Sequence, residues 1–269
     1  MTDLPANEPE AADYWSEAQR PLPALVFLLP LLAVYEFGIL SLGGEHADLL
    51  RNAADCWLRQ SILATGVMHP WLLPVAVIGL LGGWHLTARH PWRCSMETLV
   101  GMFAESLLFA MILVLIGQGL HLIFEQAGSL LALPPNAAIT SGPAARALGY
   151  LGAGIYEEVL FRLVLLPLSV TALLICLPRR EACIAAVCLT SVVFAAAHYV
   201  EPGGDSWVAA VPGALERVAD GTSLRFSFVF RAVAGLLFGV LFLRRGFGVT
   251  VGAHALYDLL VGVVMQPGE

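Results

Sequence analysis

The sequence contains no lysine, and it carries little charge of either sign. All 14 basic residues are arginine, set against 21 acidic residues, and only 13% of the 269 residues are charged while 58% are hydrophobic. Without lysine, Schiff-base, Ser–Lys and P-loop chemistry are excluded. A soluble domain has about 25% charged residues, so this composition argues against a water-soluble enzyme and predicts an integral membrane protein. The net charge of −7 also lacks the basic face that nucleic acids require, so we expect no nucleic-acid partner.

The first 20 residues lack the basic start of a signal peptide. They hold five acidic residues against one arginine, Arg20. We therefore expect residues 1–20 to form an acidic, solvated tail. A single membrane domain is expected over residues 21–268.

Seven apolar segments predict an all-α, polytopic bundle of transmembrane helices with about seven spans, within a range of six to eight. The fourth segment would be ~50 Å long as one helix, too long for a ~30 Å bilayer core, so Pro167 is expected to kink or end it. Between the first two segments, residues 44–69 mix apolar and charged side chains and predict an amphipathic interfacial helix. Residues 206–220 predict a short surface helix. The seven apolar segments are 22–43, 70–87, 98–124, 144–177, 182–200, 224–243 and 247–265.

The distribution of arginine predicts the orientation of the chain. Three arginine pairs each follow an even-numbered span, so seven spans bring them to one face, and the positive-inside rule places that face and the N-terminus in the cytoplasm. The arginine-only, alanine- and leucine-rich composition is typical of GC-rich bacterial genomes, so we expect a bacterial inner (plasma) membrane. The pairs are Arg89/Arg93, Arg179/Arg180 and Arg244/Arg245, whereas Arg51, Arg59, Arg217 and Arg225 fall on the opposite face.

Ionisable residues inside the predicted spans are costly and by default mark function or buried pairs. The densest group runs from Tyr156 to Arg162. Glu158 and Arg162 are four residues apart and are expected to form an ion pair on one helix face. Glu157 is rotated by about 100° and is free to face a cavity. The complete set is Glu36, Glu105, Glu157, Glu158, Arg162, Arg231 and Asp258, with His121, His198 and His254.

Two further polar positions lie in later spans. His198 ends the fifth apolar segment after a run of alanines, and His254 and Asp258 share one helix face in the seventh. A base, two imidazoles and a carboxylate are the groups needed to activate water and stabilise an oxyanion. The alternatives are structural: an Asp–His hydrogen bond, a Glu–Arg bridge and an interfacial histidine.

Three motifs in this order resemble those of the CPBP intramembrane proteases, which include type II CAAX prenyl endopeptidases and proteins of bacteriocin maturation and immunity. The resemblance covers residues 145–262 as the catalytic core. The motifs are Glu157-Glu158-x-x-x-Arg162, Phe194-x-x-x-His198 and His254-x-x-x-Asp258.

The resemblance implies an intramembrane endopeptidase that cleaves a membrane-associated protein or peptide entering from the lipid bilayer. It implies that Glu157 and His198 activate the attacking water and that His254 and Asp258 surround the oxyanion. Glu158 and Arg162 would support them. This chain has Asp258 where many relatives have asparagine. Because an ionised carboxylate cannot donate a hydrogen bond, Asp258 must be protonated or act through His254.

The need for a metal is left open by the resemblance, since the family has been described both as glutamic proteases and as metalloproteases. Glu157, His198 and His254 would supply three zinc ligands and an open position. No HExxH pair is present, however, and a Glu–water–His arrangement needs no cofactor. We therefore expect catalysis that requires no cofactor, with zinc as the alternative.

Two functions of other classes remain. One is a non-catalytic membrane protein with the same fold, which binds a sensor kinase, a bacteriocin or a cell-wall protein. The other is a metal or proton transporter that uses Glu36, Glu105 and His121 as relay groups.

Overall fold

A computed structural model describes residues 14–64, 66, 69–126, 142–200 and 207–265, and within these ranges the chain is helical with no β-strand. The helices are α1 Tyr14–Glu17, α2 Pro21–Gly43, a 3-10 helix Gly44–Leu50, α3 Ala53–Leu63, α4 Leu72–Ala88, α5 Met96–Gln126, α6 Pro143–Glu158, a π-helix Val159–Leu165, α7 Leu166–Leu173, α8 Arg179–Ala197, α9 Trp207–Asp220, α10 Thr222–Arg245, α11 Phe247–Leu259 and a π-helix Leu260–Val264.

All seven predicted apolar segments are helical, and the protein is a polytopic helical membrane bundle. Among the described residues, five helices are long and apolar enough to cross a bilayer by length and composition. The two other segments differ in form. Helix α4 is apolar but has only 17 residues, and the fourth segment is divided into α6, a π-helix and α7. The five long helices are Pro21–Gly43, Met96–Phe124, Arg179–Ala197, Leu224–Arg245 and Phe247–Val264.

In the fourth segment the helix geometry changes from α to π before Pro167 is reached. The π-helix Val159–Leu165 begins directly after Glu158, and Pro167 lies in the first turn of α7. The helix does not end at Pro167 but continues to Leu173, and its α-helical geometry is interrupted earlier, by the π-helix next to the candidate site.

The expectation of a solvated tail over residues 1–20 is wrong for its last part. Residues 1–13 lie outside the described residues, but Ala18 and Glu17 are buried. The Glu17 carboxylate accepts a hydrogen bond from the backbone N–H of Ser95 at 3.0 Å, and the backbone of Gln19 lies against Gly246. This end of the chain therefore packs against two inter-helix connections. The acidic composition of residues 1–20 did not predict this packing, because Ser95, the partner of Glu17, is distant in sequence.

Helix α3 has 11 residues, or ~16 Å, so it does not cross the bilayer. The prediction of a short helix over residues 206–220 is also confirmed as α9, whose Trp207 stacks on Trp57 of α3 with ring centroids 5.1 Å apart. The two short helices therefore cover the same end of the bundle.

A buried ion network holds α3 against α2 and α6. Arg59 contacts Glu36 at 2.9 Å and Asp55 at 2.6 Å, and Arg51 contacts Asp55 at 2.8 Å. Tyr156 of α6 also donates a hydrogen bond to Glu36. Both carboxylates are compensated by arginine, so the network is neutral and satisfies the condition under which charges are buried.

Helix α11 lies at the centre of the bundle, where every residue from Phe247 to Ala255 is buried. Helix α6 crosses it very closely: a Cβ added at Gly154 would lie 2.6 Å from the backbone and Cβ of Ala255. On α10, a Cβ at Gly235 would lie 3.0 Å from the Cα of Ser191 in α8. Glycines at these crossings bring the three motif-bearing segments together.

Candidate active site

The first motif forms a buried ion pair at the junction of α6 and the π-helix. An Arg162 Nη1 lies 3.1 Å from Glu158 Oε1, as its spacing of four residues predicts. Arg162 also donates to the backbone carbonyl of Gly235 on α10 at 3.1 Å. Its guanidinium lies 4.5 Å from the Phe194 ring centroid and 5.4 Å from that of Phe238. Arg162 thus connects α6, α8 and α10 through one desolvated cation.

Glu158 also orients His254. The His254 Nδ1 lies 2.7 Å from Glu158 Oε1, so Nδ1 carries the proton and donates it to the carboxylate. Phe238 stacks on the imidazole with centroids 4.5 Å apart and planes 15° apart. The ring orientation of His254 is therefore fixed by a hydrogen bond and by stacking, and its Nε2 is turned towards the remaining polar groups.

The Nε2 of His254 faces two further carboxylates. Asp258 Oδ2 lies 3.4 Å from it, on the same helix face as predicted, and Glu157 Oε2 lies 3.9 Å away. Since both carboxylates accept hydrogen bonds, His254 is placed to carry a proton on Nε2 in addition to the one on Nδ1.

Glu157 points away from the Glu158–Arg162 pair, in agreement with its rotation on the helix. Its Oε2 is buried and has no hydrogen-bond partner. His198 Nε2 lies 3.6 Å from this oxygen and His254 Nε2 lies 3.9 Å from it. These separations exceed a direct hydrogen bond.

His198 is held by the end of its own helix. Its Nδ1 lies 2.9 Å from the backbone carbonyl oxygen of Phe194, which only accepts, so the neutral ring carries its proton on Nδ1 and presents a lone pair at Nε2. The lone pair faces Glu157. The Phe194 ring packs edge-on against the imidazole with centroids 4.9 Å apart.

Exposure divides the six predicted site residues into two groups. The supporting pair and His254 are enclosed, whereas the other three side chains reach an opening. The exposed fractions of the side chains are 0% for Glu158, 2% for Arg162, 6% for His254, 14% for Glu157, 20% for Asp258 and 25% for His198. The site therefore opens at the end of the bundle where α8 ends.

The structure brings all four predicted catalytic residues together. Among the residues that the structure describes, no group of three His, Cys, Asp or Glu side chains is arranged to hold a metal ion. Both histidines engage Nδ1 in hydrogen bonds and turn Nε2 towards Glu157. Because metal-binding histidines are oriented in the same way, the zinc alternative with Glu157, His198 and His254 stays a prediction.

The three relay groups of the transporter alternative lie in separate surroundings. Glu36 is held by Arg51 and Arg59 in the network described above. Glu105 of α5 accepts two bonds from Arg245 at 2.5 and 2.7 Å and one from Tyr14. The ring of His121 lies against Phe226. These pairings stabilise helix contacts and give no continuous chain between the carboxylates.

The contacts by which α10 positions the site were not predicted from the sequence. Phe238 stacks on His254, and the carbonyl of Gly235 binds Arg162. Gly235 and Phe238 are ordinary apolar residues of a span, so composition alone gave no signal. Their spacing of three residues on one helix face was the available indication.

The fold and the site together define a class: a polytopic helical membrane protein with a glutamate–histidine cluster in its core. The family model that matches residues 141–260 is described as Rce1-like, type II CAAX prenyl endopeptidase. The match covers less than half of the chain and includes all three motifs, and it confirms the resemblance drawn from them. Residues 141–260 are therefore similar to type II CAAX prenyl endopeptidases, a class of membrane endopeptidase. No curated protein and no solved structure matches the chain.

Proposed function

We propose that this protein is an intramembrane endopeptidase that hydrolyses a peptide bond in a membrane-associated protein or peptide. The observation that carries the proposal is the buried, unpartnered Oε2 of Glu157, flanked by the Nε2 atoms of His198 and His254. An unpartnered carboxylate oxygen in an apolar bundle is costly, and this cost supports a functional role for Glu157.

In the proposed mechanism, a water that enters the site donates hydrogen bonds to the Glu157 carboxylate and to His198 Nε2, because both groups are acceptors. The water oxygen attacks the scissile carbonyl carbon while its proton passes to Glu157. When the tetrahedral intermediate collapses, the C–N bond breaks and Glu157 returns the proton to the leaving amine. No cofactor enters these steps.

His254 and Asp258 act on the opposite side of the carbonyl. His254 donates from Nε2 to the developing oxyanion, and Asp258, 3.4 Å from that nitrogen, keeps it protonated. Asp258 thus acts through His254, which explains how a carboxylate functions at a position where a direct donor is expected. Glu158 fixes the imidazole from Nδ1, and Arg162 compensates the charge of Glu158.

We further propose that the protein lies in a bacterial inner membrane with its N-terminus in the cytoplasm. The site then opens away from the cytoplasm, since it faces the end of α8 opposite the N-terminal residues. A bacteriocin leader or the tail of a membrane protein is the substrate that this placement favours.

The test is comparative proteomics of membranes that contain the parent protein or Glu157→Ala. We expect one substrate terminus to shift, and we expect Glu157→Ala and His198→Ala each to lower its cleavage by at least about a hundredfold, the usual contribution of a general base. Glu181→Gln, on the exposed first turn of α8, is the matched control and should cleave normally. Full activity in either alanine variant overturns the assignment. Activity lost on chelation and restored by zinc would overturn the metal-free mechanism.

A further inference from the structure

A single face of α10 runs from the enclosed part of the site to its opening. Phe238 stacks on His254, and the carbonyl of Gly235 accepts from Arg162. Arg231 lies four residues before Gly235, so it occupies the same face about one turn, or ~6 Å, nearer the opening. The helix that forms the wall of the site therefore also places a guanidinium at its rim.

The contacts of Arg231 locate it beside the candidate catalytic groups. It donates to the hydroxyl of Tyr199 at 3.1 Å, and its guanidinium lies 5.5 Å from that ring. Tyr199 directly follows His198. The residue before Arg231, Phe230, packs against Tyr257, the neighbour of Asp258, with ring centroids 5.7 Å apart. Arg231 thus stands between the ends of α8 and α11 that carry the site.

Unlike Arg162 and Arg245, Arg231 is half-buried without an acidic partner among the residues that the structure describes. Arg162 is paired with Glu158 and Arg245 with Glu105. Arg231 bonds only to neutral groups, the hydroxyl of Tyr199 and the hydroxyl and carbonyl oxygens of Ser227. A half-buried guanidinium without a counter-charge is costly within a bilayer and marks a functional position.

The bonds of Arg231 also leave part of its donor set available. All its hydrogen bonds in the described structure use Nη1, which leaves Nε and Nη2. These two atoms form the planar edge that binds a carboxylate through two parallel hydrogen bonds. Tyr199 and Ser227 hold the guanidinium in place, so little side-chain freedom is lost when the anion binds.

We propose that Arg231 is a specificity-determining residue that binds a carboxylate of the peptide substrate beside the scissile bond. The inference rests on the proposed function, since it assigns the chemistry of the substrate to the same site. The carboxylate belongs either to the C-terminus of a peptide or to an aspartate or glutamate side chain. Both present the same planar pair of oxygens to Nε and Nη2.

Peptide binding to the Glu157→Gln protein tests this proposal without requiring turnover. Three fluorescent apolar peptides of one length are compared: one with a free C-terminal carboxylate, one with a C-terminal amide, and one with an amide and an internal glutamate. We expect at least one carboxylate peptide to bind about tenfold or more tightly than the neutral amide, the usual effect of a charge-assisted bond. The carboxylate peptide that gains affinity identifies which source the site accepts.

Variants of Arg231 in the same Glu157→Gln background assign the preference. Arg231→Gln should remove it, while Arg231→Lys should keep part of it. Arg225→Gln is the matched control, because Arg225 lies on the same helix, is exposed and bonds to the carbonyl of Ala219. Equal binding of all three peptides to the parent, or a preference that survives in Arg231→Gln, overturns the proposal. Failure of Glu157-dependent cleavage with the preference intact overturns only the proteolytic function.

Discussion

Glu158 contacts both His254 and Arg162 and so links these two residues of the site. Its Oε1 accepts from His254 Nδ1 and pairs with Arg162. The side chain is fully buried, so its charge is offset only by these two groups. A change at this position therefore affects folding and catalysis by different routes, which a pair of variants separates.

We expect Glu158→Gln to lower the free energy of unfolding by about 3–5 kcal/mol, because Arg162 is left as an uncompensated buried cation. Thermal unfolding in detergent measures the loss. The double variant Glu158→Leu, Arg162→Met removes both charges and should recover most of the stability. Cleavage should remain absent in the double variant, because His254 then has no group to fix its Nδ1 proton. Recovery of activity there would show that Glu158 has only a structural role.

The local pairs of the site were predictable from spacing, whereas its long-range contacts were not. Glu158–Arg162 and His254–Asp258 are four residues apart, and both meet as a helix requires. The bond from His254 to Glu158 joins residues 96 positions apart, so no periodicity encodes it. The resemblance supplied the residues of the site but left unassigned the group that orients His254.

At the scale of helices, glycine controls how closely the motifs approach. Gly154 is one turn before Glu157 and Glu158, and it packs against Ala255, next to His254. The close crossing of α6 and α11 therefore sets the distance between the first and third motifs. The apolar segments of the sequence predicted these two helices, but the distance between them depends on the missing Cβ of Gly154.

We expect Gly154→Ala to reduce cleavage strongly, since its Cβ would lie 2.6 Å from the backbone of Ala255 and the helices must separate. A shift of a few tenths of an ångström to 1 Å at a catalytic pair costs up to about a hundredfold in rate. Gly149→Ala on the same helix is the control, because a Cβ there meets nothing within 4 Å. Rates for both variants, measured beside their thermal unfolding, distinguish misplacement from global destabilisation. Equal rates would contradict a tight crossing.

For the whole molecule, the fold changes how the arginine distribution is interpreted. Two of the four arginines that opposed the predicted orientation, Arg51 and Arg59, are committed to buried ion pairs with Glu36 and Asp55. At the end of the bundle where residues 14–20 lie, Arg245 is likewise paired with Glu105. The arginines that remain exposed at this end are Arg89, Arg93, Arg179, Arg180 and Arg244. Counting exposed arginines alone therefore strengthens the expectation that this end is cytoplasmic.

Two natural cysteines provide a direct test of this topology. Cys94 lies in the connection between α4 and α5, and Cys176 lies between α7 and α8. Glu17 binds the backbone beside Cys94, and one groove is lined by both Gln19 and Pro167, so both connections are at the N-terminal end. Arg225 and Arg244 mark opposite ends of α10, ~28 Å apart, so a cysteine at position 225 reports the other side.

In variants that keep a single cysteine, we expect Cys94 and Cys176 to react with a membrane-impermeant maleimide only when the cytoplasmic side is accessible, and Arg225→Cys only from the other side. Burial and the charge of Glu17 raise the pKa of the Cys94 thiol. Because the thiolate is the reactive form, its labelling should accelerate as the pH is raised towards that pKa. Comparison of inverted and right-side-out vesicles gives the sidedness. Labelling of Cys94 and Cys176 from opposite sides would contradict the fold. Labelling of both only from the outside would reverse the proposed orientation, and the active site would then open towards the cytoplasm.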